Sequence, residues 1–341
     1  IVRQRMSSGP LRVGVIGFGV GEAHADAVSR NPKCRLVGVC DIDEEKTGRA
    51  GSKYEGVLIT KHASDILDHD EIDLVVIASY DDCHYDQIMR AVEKNKHVFV
   101  EKPLCLYEEE AKDIRIALRA KPDIRLSSNL IVRKYPRFIQ LKEMIANGGM
   151  GELFYVEGDY NYGRLNKITD GWRGKIDFYS VVYGGGVHII DLLVWLTGAS
   201  IVEVAAFGNK LCSAGSDFKY NDMVVAAVKF DNGIVGKVTA NFGCVYPHFH
   251  KLAIYGTEAT FENNLKGGII YDSRNPEDVP RLIQGEYPGV GKGNLLSDFI
   301  NAIHEGRPQE ISEDDVFKTM SVCFAIEKSA KIGKSLPVTY I

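Results

Sequence analysis

The sequence predicts an α/β protein of two domains, in which a doubly wound parallel sheet precedes an α/β domain with a mostly antiparallel open sheet. The 341 residues exceed the length at which a single hydrophobic core stops growing, about 250–300 residues. Strand-like and helix-like segments alternate over residues 11–130, which is typical of a parallel sheet. Over residues 131–341 strand-like runs follow one another, which favours an antiparallel or mixed sheet.

In the first domain, helix-like segments separate short, apolar, strand-like segments. The strand-like segments are Leu11–Gly17, Arg35–Cys40, Leu74–Ala78, Val98–Val100 and Ile124–Leu130. The helix-like segments are Glu22–Asn31, Glu44–Lys53, Tyr85–Lys94 and Tyr107–Ala120. A parallel sheet binds its ligands at the carboxyl ends of its strands, so the residues that follow each strand are the candidate site residues.

The second domain is predicted to begin with a helix, Tyr135–Asn147, a strand, Leu153–Tyr162, and a long loop, Gly163–Tyr183. Its other strand-like segments are Ile201–Phe207, Asp222–Phe230, Ile234–Phe242 and His250–Tyr255. Asn232-Gly233 between two of these is a hairpin signal. The remaining helix-like segments are His188–Leu196, Leu295–Glu305 and Glu313–Lys331.

Composition excludes several classes of protein. The net charge of −5 argues against a nucleic-acid partner, because such proteins usually carry a basic excess. The seven cysteines are scattered without a CxxC pair, which indicates free thiols in a reducing compartment. No apolar run reaches the roughly 18 residues of a membrane helix. Residues 1–10 lack the apolar core of a signal peptide and are predicted to be a disordered extension, so we expect a cytoplasmic protein.

The segment Gly17-Phe18-Gly19-Val20-Gly21 stands between the first strand and the first helix. Glycines there permit a tight turn and bring backbone close to a pyrophosphate, while the helix N-terminus offers free N–H groups and a positive dipole end. The third glycine of the usual G-x-G-x-x-G pattern would fall at Glu22, so the loop is one residue short. The pattern predicts dinucleotide binding; the alternative is a glycine-rich turn without a ligand.

Asp41 follows the second strand, close to the spacing of about 20 residues at which an acidic residue binds the adenosine ribose. A carboxylate repels a 2′-phosphate, and the next residue, Ile42, is neither basic nor hydroxylated. NAD is therefore favoured over NADP as the cofactor. The alternative is that Asp41 only caps the helix that begins near Glu44.

Glu101-Lys102-Pro103 follows the strand Val98–Val100, which brings Lys102 to the carboxyl edge of the sheet. A lysine beside a bound nicotinamide can hydrogen-bond a substrate hydroxyl and favour the alkoxide character that develops as hydride leaves. Without that context, a lysine at a strand end is usually a solvated surface residue.

Taken in order, these motifs resemble the Gfo/Idh/MocA oxidoreductases, which include inositol dehydrogenases. The resemblance runs from Leu11 to about Val338 and includes the glycine loop, Asp41, residues 78–84, residues 96–104 and a later Gly-Gly-Gly…His…Asp. It implies a Rossmann domain joined to an α/β domain that binds a carbohydrate and forms a homodimer or homotetramer. It also implies that Lys102 is catalytic and that Ser79, His84 and Glu101 contact the cofactor.

His188 in Gly184-Gly185-Gly186-Val187-His188 begins a helix and precedes Asp191 by three residues, as in the second signature of that family. Imidazole suits proton transfer near neutral pH, so the resemblance makes His188 the second catalytic residue. The alternative is that His188 caps the helix or packs in the core. Family members usually carry an aspartate where this chain has Gly184; Asp191, Tyr179 or Tyr183 could supply the missing polar group.

Four further residues are candidates for substrate binding: Asn129, Tyr160, Arg173 and Asp191. Trp172 beside Arg173 could stack on a sugar, but packing explains it equally well. Tyr160 and Tyr162 alternate on one strand and therefore share a face that could meet sugar hydroxyls. His248 and His250 also alternate, but they lack a third clustered ligand, so no metal site is predicted.

The main hypothesis is an NAD-dependent dehydrogenase acting on a secondary hydroxyl of a sugar, amino sugar or sugar nucleotide. The same site would serve a keto-sugar reductase, because the sequence does not fix the direction of the reaction. A dinucleotide-binding sensor without turnover is a third possibility, against which the presence of both Lys102 and His188 argues.

Overall fold

The structure is a computed structural model that describes residues 9–341. Most of the predicted extension at residues 1–10 lies outside the described residues. The chain divides into two compact units. Unit 1 comprises the chain up to Ile131, Gly291–Phe317 and Ile341; unit 2 comprises Val132–Val290 and Lys318–Tyr340.

Unit 1 contains a six-stranded parallel sheet with the strand order β3-β2-β1-β4-β5-β6. Its strands are β1 (Leu11–Ile16), β2 (Cys34–Cys40), β3 (Leu58–Thr60), β4 (Leu74–Ile77), β5 (His97–Val100) and β6 (Leu126–Ser128). Every residue of β4 is buried, as expected for a parallel strand that is covered by helices on both faces. The predicted doubly wound parallel sheet is confirmed.

The helices of unit 1 connect successive strands of this sheet. They are α1 (Gly21–Arg30), α2 (Glu44–Lys53), α3 (Ala63–Leu67), α4 (His84–Glu93) and α5 (Glu108–Arg119). Asp43, and not Asp41, caps α2, because its side chain accepts the N–H groups of Glu45 and Lys46. The alternative that Asp41 only caps this helix is therefore wrong.

Unit 2 contains a nine-stranded sheet with the order β14-β13-β12-β11-β7-β10-β9-β8-β15. Its strands are β7 (Leu153–Asn161), β8 (Ile201–Asn209), β9 (Met223–Phe230), β10 (Val235–Asn241), β11 (Phe249–Gly256), β12 (Thr260–Asn264), β13 (Gly267–Tyr271), β14 (Arg281–Ile283) and β15 (Leu336–Pro337). Neighbouring strands are antiparallel except β7 and β10, which are parallel. The predicted mostly antiparallel sheet and the hairpin between β9 and β10 are confirmed.

Unit 2 contains the helices α6 (Pro136–Ala146), α7 (Asn166–Thr169) and α8 (Val187–Thr197), of which α8 packs on β7 and β10. Helix α9 (Asn294–Glu305) belongs to unit 1, and α10 (Glu313–Ile332) begins in unit 1 and continues in unit 2. The segment predicted as a loop contains α7, and a π-helical turn at Val182–Gly186 leads into α8. None of the helices among residues 9–341 is long and apolar enough to cross a membrane.

Residues 291–317, which include α9, return to unit 1. The Arg125 guanidinium donates to the carbonyls of Ala302 and Arg307, and the Ser127 hydroxyl donates to that of Ile311. The Phe99 ring packs against Phe299 at 5.9 Å between centroids. A single boundary near residue 130 therefore does not describe how the chain is divided.

Candidate active site

The glycine loop of unit 1 gives each glycine a different task. A Cβ on Gly17, whose φ is +88°, would lie 2.2 Å from the carbonyl oxygen of Ala78, so only glycine permits this tight turn. A Cβ on Gly21 would contact Val15 and Ala78 at 3.1 and 3.3 Å, so this position sets close packing of α1 on the sheet. A Cβ on Gly19 would project into open space. Tight turn, ligand approach and helix packing are the three tasks of a dinucleotide-binding loop, and Gly21 performs the third although it comes one residue early.

Asp41 lies at the end of β2 beside that loop. Its Oδ2 accepts the N–H of Phe18 at 2.6 Å, and its Oδ1 accepts the N–H of Asp43 at 2.9 Å. The Lys46 ammonium lies 3.4 Å from Oδ2. A carboxylate offers about four acceptor positions, so Asp41 can accept a ribose hydroxyl as well as these donors. Phe18 is buried and Val20 is exposed in the same loop; their contacts with a cofactor remain predictions.

A buried polar triad, formed by His24, Glu101 and Asn129, lies at the carboxyl ends of β5 and β6. Glu101 Oε1 accepts a hydrogen bond from His24 Nε2 at 2.8 Å and another from Asn129 Nδ2 at 2.7 Å. Burial opposes ionisation of Glu101, but the contacts to His24, the charge of Lys102 and the contact to Asn129 together lower its pKa to about 2. His24 was not predicted from the sequence, where the available signal was a polar residue on the apolar face of α1.

Lys102 follows Glu101 and is partly exposed. His84 stabilises the turn that carries Lys102. Its ring is fully buried and donates from Nδ1 to the carbonyl of Pro103 at 2.7 Å. The other ring nitrogen of His84 lies 3.4 Å from the carbonyl oxygen of Ser79. His84 thus links the loop after β4 to the turn after β5. Cofactor contacts of Ser79, His84, Glu101 and Lys102 remain predictions.

His188 lies in the first turn of α8 in unit 2 and is 7% exposed. Its ring stacks on Tyr160 at 6.1 Å and 27°, and it meets His250 edge to face at 5.9 Å. Tyr160 is also buried, and burial raises its pKa well above the usual value, so its hydroxyl stays protonated. The N-cap residue of α8 is Gly186, so the alternative that His188 caps the helix is wrong. The ring of His188 instead packs among aromatic rings, and its catalytic role remains a prediction.

His250 is held by a second network that sequence analysis did not find. Its backbone N–H donates to the Tyr287 hydroxyl at 3.0 Å, and its ring Nδ1 lies 2.7 Å from the same oxygen. Asn263 donates from Nδ2 to the carbonyl of His250 and accepts from Arg137. Burial raises the pKa of Tyr287, so its hydroxyl stays protonated.

Tyr179 occupies the space beside Gly184. A Cβ on Gly184 would lie 2.0 Å from the Tyr179 hydroxyl oxygen. Tyr179 itself is 1% exposed. The position at which family members carry an aspartate is therefore filled by a tyrosine hydroxyl in this chain. Tyr183, the other tyrosine considered, packs against Phe178 and Phe324.

Asp191 is fully buried and forms a two-point ion pair with Arg133. Arg133 Nε donates to Oδ2 at 2.8 Å and Nη2 donates to Oδ1 at 2.5 Å. Thr319 donates to Oδ1 at 3.4 Å. Both carboxylate oxygens of Asp191 are thus committed to positioning α8, and its predicted contact with substrate remains untested. Among the described residues, no three histidine, cysteine or acidic side chains are grouped as metal ligands.

Together these features define a class of protein: an oxidoreductase with a dinucleotide-binding domain and a second domain that presents a buried histidine. The chain belongs to the Gfo/Idh/MocA oxidoreductase family. The model of the oxidoreductase family with an NAD-binding Rossmann fold matches residues 11–129. The model of the GFO/IDH/MocA C-terminal domain matches residues 138–262. The resemblance stated from the motifs is confirmed, and so is NAD as the cofactor of the family.

Two similar proteins are named as inositol dehydrogenases. A myo-inositol 2-dehydrogenase of Thermotoga maritima is 24% identical over 354 residues, which cover 96% of this chain and 98% of the relative. A scyllo-inositol 2-dehydrogenase (NAD(+)) of Bacillus subtilis is 28% identical over 263 residues, 73% and 72% of the two chains.

Solved structures share the fold. Levoglucosan dehydrogenase in complex with NADH and L-sorbose has a TM-score of 0.86 at 23% identity and covers 98% of this chain and 100% of its own. Scyllo-inositol dehydrogenase from Lactobacillus casei with NAD(H) and scyllo-inositol has a TM-score of 0.78 at 18% identity, with coverages of 96% and 99%. At these identities the likeness concerns the fold alone.

Proposed function

We propose that this protein is an NAD-dependent dehydrogenase that oxidises a secondary hydroxyl of a sugar, amino sugar or sugar nucleotide to a ketone. The observation that carries the proposal is the placement of His188, buried among Tyr160 and His250 at the start of α8, in a chain of an NAD-binding oxidoreductase family. The relatives named for inositols and levoglucosan support a cyclic polyol or sugar as the substrate.

The residues of unit 1 fit the cofactor. The open space beside Gly19 suits a pyrophosphate, and the spare acceptor positions of Asp41 suit the ribose hydroxyls. Bound NAD supplies the hydride acceptor at its nicotinamide ring. The anionic Glu101, fixed by His24 and Asn129, holds the start of the turn that carries Lys102.

Lys102 and His188 divide the remaining chemistry. As the hydride leaves the carbon, negative charge develops on the reacting oxygen, which the Lys102 ammonium stabilises. The hydroxyl proton passes to His188, a step worth about 10²–10⁴-fold in rate when the acceptor is well positioned. In the reverse direction, as a keto-sugar reductase, the same two residues return the proton and stabilise the same oxygen.

The experiment is a substrate panel followed at the absorbance band of reduced nicotinamide. Cyclic polyols, hexoses, amino sugars and sugar nucleotides are each incubated with NAD⁺ and, separately, with NADP⁺. We expect NADH formation with at least one class, and a preference for NAD⁺ that Asp41→Ser weakens. Tight NADH binding without turnover of any substrate, in either direction, would favour the sensor over the dehydrogenase.

Assembly and location are further proposals that rest on the family resemblance. We infer a homodimer or homotetramer in the cytoplasm, with no nucleic-acid partner. Sedimentation velocity of the purified protein tests the oligomeric state, and a monomer at micromolar concentration would contradict it.

A further inference from the structure

A continuous row of side chains leads from His188 toward the surface of unit 2. His188 stacks on Tyr160, and the Tyr160 ring stacks on Tyr162 at 5.8 Å and 21°. The Arg164 guanidinium then lies over the Tyr162 ring, 5.2 Å from its centroid. We call this row, His188, Tyr160, Tyr162 and Arg164, the aromatic ladder.

The ladder follows from the local backbone. Tyr160 and Tyr162 share a face of the strand because side chains two residues apart point the same way, about 6.6 Å from one another. Gly163 then turns the chain with a φ of +60°, and a Cβ there would lie 1.9 Å from the carbonyl oxygen of Tyr246. Only glycine fits this turn, which returns Arg164 over the ring of Tyr162.

Exposure increases along the ladder. His188 and Tyr160 are 7% and 4% exposed, Tyr162 is half-buried and Arg164 is exposed. A ligand whose reacting hydroxyl is beside His188 therefore extends outward along two tyrosine rings and reaches a cation. The guanidinium at the outer end of the row adds a positive charge that a neutral sugar does not need.

A second arginine lies on the same segment. Arg173 stacks on Trp172 at 4.6 Å, and Trp172 packs edge-on against Tyr179, the residue beside Gly184. Tyr179 in turn meets Phe242 edge-on at 6.2 Å between ring centroids, and Phe242 lies 5.9 Å from the Tyr160 ring. Ring contacts therefore connect the arginine stacked on Trp172 to the ladder.

Neither the ladder nor its surroundings supplies a matching negative charge for Arg164. Among the residues that the structure describes, no carboxylate lies within 4.0 Å of its guanidinium. The segment 163–178 carries four basic residues against two acidic ones. A stacked guanidinium keeps its in-plane N–H donors available, and these match the two oxygens of a carboxylate or phosphate.

We propose that the substrate carries an anionic group, a carboxylate or a phosphate, at a distance from its reacting hydroxyl, and that Arg164 and Arg173 bind it at the outer part of the ladder. This inference rests on the proposed dehydrogenase and names its substrate class. A hexuronate and a sugar joined to a nucleoside diphosphate are the two sources of such a group, whereas a neutral polyol carries no group that matches the charge of Arg164.

The test compares matched substrates and matched variants. A neutral hexose, the corresponding hexuronate and the corresponding uridine diphosphate sugar are assayed with wild type, Arg164→Gln, Arg173→Gln and the control Lys175→Gln. Lys175 is an exposed lysine of the same segment outside the ladder. Thermal unfolding of each variant shows whether the fold is retained, and Arg164→Lys tests whether charge alone suffices.

We expect the anionic substrates to have the higher kcat/KM. Arg164→Gln should raise KM for the preferred anionic substrate about tenfold or more, with little change in kcat, because a hydrogen bond to a charged group is lost. Lys175→Gln and the neutral hexose should show no such change. The anionic substrate with the larger loss identifies the carboxylate or the diphosphate as the bound group.

Two results would overturn the inference while leaving the dehydrogenase intact. One is a neutral sugar as the best substrate, with a KM that both arginine variants leave unchanged. The other is a KM shift in Arg164→Gln and Arg173→Gln no larger than in Lys175→Gln. If no substrate is turned over, the inference is tested by calorimetric titration of the hexuronate and the nucleotide sugar into the NADH-loaded protein. Binding that is lost in Arg164→Gln supports the inference. Absence of binding to the wild-type protein refutes it.

Discussion

The two units hold their candidate functional groups in different ways. Under the proposed function, the cofactor meets mainly backbone in unit 1. In the glycine loop there, Gly17 forms the tight turn, a Cβ on Gly19 would meet open space, and Gly21 packs on the sheet. The substrate would meet side chains in unit 2, where His188 lies among the rings of Tyr160 and His250. Few residue types can adopt the backbone geometry of such a loop. By contrast, many combinations of residue types can form a suitable arrangement of side chains.

That difference explains where this chain departs from its family. In unit 1 the missing third glycine is replaced by Gly21, and the geometry is preserved. In unit 2 the aspartate usual in the family is replaced by Gly184 and the hydroxyl of Tyr179. Binding of the cofactor is therefore expected to be general within the family, and recognition of the substrate to be particular to this chain.

The largest expected effect concerns His188. If the side chain itself moves the proton, His188→Asn should lower kcat by about 10²–10⁴-fold while the affinity for NADH stays unchanged. Stopped-flow or steady-state absorbance and NADH fluorescence titration measure the two quantities. His62→Asn, an exposed histidine of unit 1, serves as the control. A kcat within a few-fold of wild type would mean that the aromatic setting of His188 is structural.

The triad in unit 1 predicts a pH dependence of stability. The pKa of Glu101 is about 2 in the folded protein against an ordinary value of 4.5, so its ionisation stabilises the fold above that value. This stability, about 3 kcal/mol in full, is lost progressively as the pH falls from about 4.5 toward about 2.

Denaturant unfolding between about pH 6 and about pH 3 measures this loss. Glu101→Gln should lose about 2 kcal/mol less over that interval than wild type, because glutamine does not titrate. Glu55→Gln, an exposed substitution, should follow the wild-type curve. Parallel curves for wild type and Glu101→Gln would show that the His24 and Asn129 contacts do not hold a charged group.

The open position of the glycine loop predicts a loss of affinity without a loss of stability. In Gly19→Val the new side chain enters the open space and keeps the pyrophosphate from the backbone N–H groups. We expect NADH affinity to fall about tenfold or more, since contacts to a charged group are lost. Gly48→Val is the matched control, because a Cβ on Gly48 in α2 also meets no atom within 4 Å. Equal affinities for the two variants would place the cofactor elsewhere.

The smallest expected effect is the coupling between Gly184 and Tyr179. Gly184→Ala should destabilise the protein by about 1–3 kcal/mol, because its Cβ meets the tyrosine hydroxyl. Tyr179→Phe removes that oxygen, so the double variant should recover part of the loss. A double-mutant cycle by thermal unfolding measures the coupling, and strictly additive effects would show that the hydroxyl moves aside freely.

Much of unit 1 could be predicted from the sequence. Parallel strands buried on both faces appear as continuous apolar runs, and the helices between them carry a clear period. The short strands β12, β13, β14 and β15 were not predicted, because strands of two to five residues leave little pattern in the sequence. The return of residues 291–317 to unit 1 depends on tertiary contacts such as those of Arg125, which no local pattern encodes.

The residues of the candidate site also fall into a group that could be predicted from the sequence and a group that could not. Lys102, Asp41 and the glycine loop follow strands, so the topology of the sheet identified them. The pairing of Asp191 with Arg133, the support of His250 by Tyr287 and the contact of His24 with Glu101 join residues far apart in sequence. The sequence shows which chemical groups these residues carry, but it does not show which distant residues they contact.

We propose that this protein transfers hydride with the help of Lys102, while unit 1 binds NAD independently of that side chain. The most direct measurement is turnover and NADH affinity of Lys102→Met in the same preparation. We predict a loss of turnover of about 10²–10³-fold, as for removal of a group that stabilises a developing oxyanion, with the dissociation constant for NADH unchanged. Full turnover in this variant would contradict the assignment of Lys102 to the reacting oxygen.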